Sequence, residues 1–168
     1  MLIIVARVLH ILFGVFWVGT VMFSAVFLVP AMQDAGPDGA KFGAALARRR
    51  FMDIMPPIAG VNILSGLWLY WKVSGGFQPA FMRSGFGMTL GLGAVAAIAG
   101  FAVGVRVMRP AMMQAAALAQ SAAQAPVAER DAQLAKAQAL RLRAGAAGRV
   151  VALLLALAVI LMAVARYV

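Results

Sequence analysis

Val8-Leu-His10-Ile-Leu-Phe-Gly14-Val-Phe-Trp17-Val-Gly19-Thr20-Val-Met22-Phe-Ser24-Ala-Val-Phe-Leu-Val29 is the stretch whose reading decides the fold. It passes no charge other than one that His10 can carry. A helix needs about 20 consecutive apolar residues to cross a hydrocarbon layer of about 30 Å, so this run spans a membrane. The apolar run is much longer than the core of a signal peptide and has no basic leader, so it is expected to persist as a helix. Three more stretches meet the same condition. The spans are expected at about 3–29, 51–71, 84–108 and 146–167, in one transmembrane domain covering residues 1–168. The second is uncharged after Asp53. The third is rich in glycine, and the fourth carries Arg149 near one end, where a long side chain can snorkel. Lipid offers no partner to a free backbone group, so the spans are helices. The expected fold is all-α, an antiparallel four-helix membrane bundle.

Composition agrees. Of 168 residues, 64% are hydrophobic and 12% charged, about half the charge of an ordinary soluble domain. There is no cysteine, which excludes disulfides, iron–sulfur clusters and thiolate catalysis. No paired carboxylates, nucleophile–base pair, phosphate-binding glycine loop or His-x-x-x-His motif occurs, so hydrolase and kinase chemistry have no support.

Lys41, Arg48, Arg49, Arg50, Arg106, Arg109, Arg130, Lys136, Arg141, Arg143 and Arg149 lie on the first and third connections or at their edges. They are eleven of the fifteen basic residues. Arg7, Lys72, Arg83 and Arg166 lie on the other side. The positive-inside rule then places both basic connections in the cytoplasm and both termini in the periplasm of a bacterial inner membrane. Trp68, Tyr70, Trp71, Phe77, Phe81 and Tyr167 supply an aromatic belt at the outer side. The formal net charge of +10 suits anionic lipid headgroups at the cytoplasmic face. No basic segment is interleaved with stacking aromatics, so nucleic acid is not an expected partner. Residues 109–145 are rich in helix formers, and Pro126 reads as the first residue of a new helix. A cytoplasmic helical hairpin is expected there, continuing the third and fourth spans, with Leu118 packed against Leu134, Ala137 and Leu140. Asp53 is expected to pair locally with Arg49 or Arg50.

An ionisable side chain inside a span is costly and marks a functional position. His10 is the one such residue. At 100° per residue, Gly14, Trp17, Thr20, Val21 and Ser24 fall on the same arc as His10, which therefore faces the bundle. Gly14, one turn on, leaves space beside the imidazole for a flat macrocycle, a metal or a neighbouring helix. Histidine is the usual axial ligand of haem iron, and it is also an ordinary interhelical hydrogen-bonding residue, worth about 0.6 kcal/mol. Equal depth in the bilayer brings Asn62 and Ser65 of the second span, Met88 of the third and Met162 of the fourth near His10. Asn62 or Ser65 would orient the ring, and Met88 or Met162 would offer a sulfur ligand. Gly85, Thr89, Gly93, Ala96 and Gly100 form a small-residue stripe on the third span. Such a stripe serves close helix packing and equally suits a porphyrin lying against it.

His10-Ile-Leu-Phe-Gly-Val-Phe-Trp17-Val-Gly19 resembles the opening helix of the copper-resistance protein D group of membrane proteins. It is also similar to the HemJ-type membrane protoporphyrinogen oxidases. In the latter a basic run followed by Ile-Met-Thr-Pro opens the second span, and Arg48-Arg-Arg-Phe-Met-Asp-Ile54-Met55-Pro56-Pro57, followed by Gly66-Leu-Trp68, looks like it. The resemblance covers about the first 90 residues. It implies haem b held through His10, with Arg83 at the place of a basic residue that opens the third span. The oxidase pattern also has a lysine where Arg83 stands, a second histidine after the third span and an Asn-Glu-x-Pro segment before the last. This chain lacks all three.

The function expected is therefore haem b binding through His10, with Gly14, Trp17, Asn62, Ser65, Arg83, Met88 and Met162 around it, for electron transfer or tetrapyrrole handling. With one histidine per chain the iron would be five-coordinate, His/Met-ligated, or shared by two chains of a homodimer. A non-catalytic assembly subunit of a larger membrane complex is the alternative. Copper passage using His10 with Met22, Met32 or Met88 ranks below both, because those methionines lack the clustered spacing of Cu(I) sites.

Overall fold

Every element of the chain is a helix, with no strand among the described residues. The computed structural model describes residues 1–168, the side chain of Pro37 excepted. The helices are α1 (Leu2–Asp34), α2 (Pro37–Arg48), α3 (Phe51–Val73), α4 (Pro79–Met82), α5 (Gly85–Ala122) and α6 (Val127–Tyr167). Four of them, α1, α3, α5 and α6, are long and apolar enough to cross a membrane. The chain is a membrane protein, as its composition requires. We call the end where α1 begins the upper end.

Two helices contain a five-residue π segment, Ser24–Leu28 in α1 and Gly104–Met108 in α5. Each is followed two residues later by a proline, Pro30 and Pro110. Proline has no N–H to give to the ladder, and its ring collides with the carbonyl one turn earlier. The widened turn accommodates both defects without ending the helix. This is how α5 continues through Pro110 as far as Ala122, as a hairpin arm continuing the third span is expected to.

The four long helices form two intimate pairs, α1 with α3 and α5 with α6. In the second pair small residues set the approach. A Cβ on Gly93 would stand 3.2 Å from the carbonyl oxygen of Ala158, and one on Gly100 would stand 3.5 Å from Leu155. The small-residue stripe of the third span is therefore used inside the chain, against the fourth. The pairs meet in a core of Trp17, Ala59, Ala96, Ala97, Val151 and Leu155. Trp17 is 4% exposed and its ring meets Phe101 edge-on at 6.3 Å. Another face of α1, with Phe16, Phe23 and Phe27, is uncovered, as a lipid-facing surface requires.

Below the spans, α5 and α6 carry buried alanines, Ala111, Ala115 and Ala122 on one and Ala137, Ala144 and Ala147 on the other. Ser121 Oγ donates to Gln133 Oε1 at 3.0 Å, and Arg130 Nε donates to the Ala122 carbonyl at 3.2 Å. Of the residues expected in this contact, Ala137 is 1% exposed and Leu134 is 44% exposed, so alanine rather than leucine fills its centre. Asp53 also departs from expectation. Its Oδ1 accepts from Arg109 Nη2 at 2.8 Å, which ties α3 to α5 rather than to its own flanking arginines.

The alanine contact is open to test. Ala115 is 1% exposed, so Ala115→Leu overpacks it and lowers stability by about 1–3 kcal/mol. The same change at the exposed Ala116 leaves stability within about 0.5 kcal/mol. Denaturant unfolding in detergent measures both.

Candidate functional site

Within the first pair, two polar residues and two glycines interlock. His10 Nδ1 donates to the backbone carbonyl of Asn62 at 2.9 Å. A carbonyl oxygen only accepts, so Nδ1 carries the hydrogen, and in the neutral ring the lone pair is on Nε2. A Cβ on Gly66 would stand 2.6 Å from His10 Cε1 and 2.9 Å from Nδ1. The imidazole thus occupies the notch that this glycine leaves. A Cβ on Gly14 would stand 2.9 Å from Asn62 Oδ1, so Gly14 provides the matching notch for the Asn62 side chain. Each helix carries a polar residue followed four positions later by glycine, and each polar side chain lies against the other helix's glycine.

The sequence predicts that Gly14 makes room beside the imidazole. The ring is instead accommodated by Gly66, while Gly14 receives Asn62 and borders the space beyond it. Ser65 Oγ donates to the Val61 carbonyl at 2.7 Å and lies 3.0 Å from the same Asn62 oxygen that holds His10. Asn62 therefore orients the ring through its main chain, and Ser65 acts on that acceptor rather than on the ring. Carbonyl oxygens have two lone pairs and sustain this sharing.

The upper half of the bundle is not filled. A cavity of about 240 Å³ lies between α3 and α5, where Gly66, Leu67, Tyr70, Leu90 and Ile98 form part of its wall. A second, of about 330 Å³, lies between α1 and α6, bordered by Gly14, Trp17, Val18, Leu155 and Val159. His10, Asn62, Ala97 and Met162 line both. Small-molecule sites run from about 300 to 1,000 Å³ and are mostly apolar with a few placed polar groups. His10 and Asn62 are the polar residues common to both walls. Tyr70 stands at the edge of the smaller cavity, its hydroxyl donating to the Gly87 carbonyl at 2.9 Å.

Of the residues expected at the site, the fold brings together His10, Gly14, Trp17, Asn62 and Met162, with Ser65 one contact behind. Met88 is 52% exposed and borders neither cavity, and Arg83 lies exposed in the connection between α4 and α5. The methionines of a copper path are also apart. Met22 and Met88 are 38% and 52% exposed, and Met32 lies at the lower end, in the notch of Gly43. Among the described residues no three His, Cys, Asp or Glu side chains are grouped to hold a metal. Most of the cavity wall was not expected, Gly66 and Ala97 included. Gly66 is signalled by the repeated polar-x-x-x-Gly spacing; Ala97, one of many alanines, has no signal of its own.

Gly66→Ala is expected to push the imidazole off the Asn62 carbonyl and to cost about 1–3 kcal/mol. Gly60, which has nothing within 4 Å of an added Cβ, accepts alanine neutrally or with a gain of up to about 1 kcal/mol. Nitrogen-15 spectra of His10 in the two variants report the Nδ1 hydrogen bond directly. Comparison of the whole chain with models of known protein families, with curated proteins and with solved structures finds no match.

Proposed function

We propose that the chain is a haem b-binding protein of the bacterial inner membrane, serving electron transfer or tetrapyrrole handling, with His10 as the axial ligand. The observation that carries this reading is one imidazole, fixed through Nδ1 on the Asn62 carbonyl, on the common wall of two apolar cavities. A lone histidine cannot cage a free metal ion, which would need several protein ligands. It suits a metal that arrives already held by a macrocycle and needs only an axial donor.

The residues present fit that group. His10 would hold the iron through Nε2, and the hydrogen bond on the opposite nitrogen sets the tautomer and the orientation of the ring. Met162, on both cavity walls, would offer its sulfur to the bound group. Trp17, Ala97 and Leu155 keep water out from below. Bound haem would supply one-electron redox chemistry. The resemblance of the opening helix to the copper-resistance protein D and HemJ-type groups points the same way. The missing second histidine and Asn-Glu-x-Pro segment point away from the oxidase reaction itself.

In this reading the spans run as an antiparallel bundle with both termini periplasmic. The lower parts of α5 and α6 form a hairpin in the cytoplasm, and the exposed arginines at 48–50 and 106 face anionic headgroups. His10 then lies nearer the periplasmic side.

Protein purified after expression with added haem precursor is expected to show a Soret band, and His10→Ala to abolish it. Met162→Ala is expected to keep the pigment and change the spin state of the iron. A colourless wild type under haem supply would overturn the reading.

A further inference from the structure

Helix geometry places two arginines above the larger cavity, one on each wall. Taking His10 as 0° and 100° per residue, the α1 residues on that cavity run from Trp17 at about 340° through Gly14 at about 40° and Val18 at about 80° to Gly19 at about 180°. Arg7 falls at about 60°, within this arc, and about 4.5 Å above His10 along the axis. On α6, with Leu155 as 0°, Ala158, Met162 and Val159 lie at about 300°, 340° and 40°. Arg166 falls at about 20°, one turn above Met162, and the closing 3₁₀ turn at Ala165–Tyr167 moves it by only a few tens of degrees. Both arginines are exposed.

Among the described residues neither cation is held in an ion pair. All five acidic residues, Asp34, Asp38, Asp53, Glu129 and Asp131, belong to the lower half of the chain. Among the described residues the ion pairs are Lys41–Asp38 and Arg109–Asp53, neither of which involves Arg7 or Arg166. Arg166 lies over the ring of Tyr167 at 4.9 Å, a stacking that leaves its in-plane N–H donors free. Lys72, by contrast, is drawn onto Trp71 at 4.5 Å. The cavity between α1 and α6 therefore has apolar walls with an imidazole on them, and Arg7 and Arg166, which do not themselves line it, follow its wall residues one turn further up their helices.

We infer that Arg7 and Arg166 form an anion-binding rim that holds the carboxylates of a flat, apolar-bodied ligand whose body occupies the cavity between α1 and α6. The inference rests on the haem reading, for which the carboxylates are the two propionates, and it assigns the macrocycle to this seam rather than to the one between α3 and α5. Guanidinium matches a carboxylate in two-point geometry. At the edge of the hydrocarbon layer such a bond is less screened than on an open surface.

Titration of the detergent-solubilised protein with haem and with haem dimethyl ester, followed at the Soret band, tests it. The ester keeps the iron and the ring and removes both negative charges. Wild type is expected to prefer haem; Arg7→Gln and Arg166→Gln are each expected to weaken haem roughly three- to thirtyfold and to leave ester binding unchanged. The double variant then binds the two pigments alike. A haem-to-ester preference unchanged in the variants overturns the rim while the Soret band leaves the haem reading standing. So does an unchanged preference accompanied by loss of co-purifying anionic phospholipid, which would assign the arginines to a lipid headgroup. Absence of a Soret band with either pigment in wild type overturns both.

Discussion

The bond from His10 Nδ1 to the Asn62 carbonyl is the interaction on which the upper half of the molecule depends. Its energy is not the reason. Interhelical hydrogen bonds in membranes contribute about 0.6 kcal/mol on average, less than the packing of either helix pair. What it decides is chemical state and direction. A carbonyl acceptor on Nδ1 leaves Nε2 with the lone pair, and the Gly66 notch allows the ring no other seat. Asn62 in the Gly14 notch repeats the device one turn away, so the two contacts together set the axial register of α1 on α3. A one-turn slip would put a Cβ where each polar side chain now lies.

From that register follows the division of the bundle into two tight pairs with open seams. Glycine and alanine consume the space within each pair, as Gly93 and Gly100 do against α6. Between pairs, close packing is confined to the core around Trp17 and Leu155. Above it Tyr70 reaches from α3 to the Gly87 carbonyl of α5, and the cavities remain, with His10 and Met162 on both walls. Charge is excluded from this region and returns only at the ends, as arginines above and as the Asp53–Arg109 tie below.

Much of this was legible in the sequence. The spans follow from run length, and the inward face of α1 follows from the arc shared by His10, Gly14, Trp17 and Ser24. The helical continuation of the third span past residue 108 was legible as well, from its run of helix formers, whereas the widened turns that carry α1 past Pro30 and α5 past Pro110 are seen only in the structure. Periodicity identified an apolar face in the hairpin but not the distance of its partner, and alanines rather than Leu134 are buried there. Asp53 was assigned to its sequence neighbours because the approach of α5 is a tertiary fact.

By itself the sequence determined that the chain lives in a membrane, that it has four spans, and that its interior holds a single histidine on a small-residue face. Those properties are local, set by hydrophobicity, run length and helical period. Only the tertiary structure decided which carbonyl takes the imidazole, which glycine seats it, and that Met162 shares its cavity while Met88 faces outward. Depth along a span can be counted from residue numbers, but rotation about its axis relative to three neighbours is settled only when all the helices pack together.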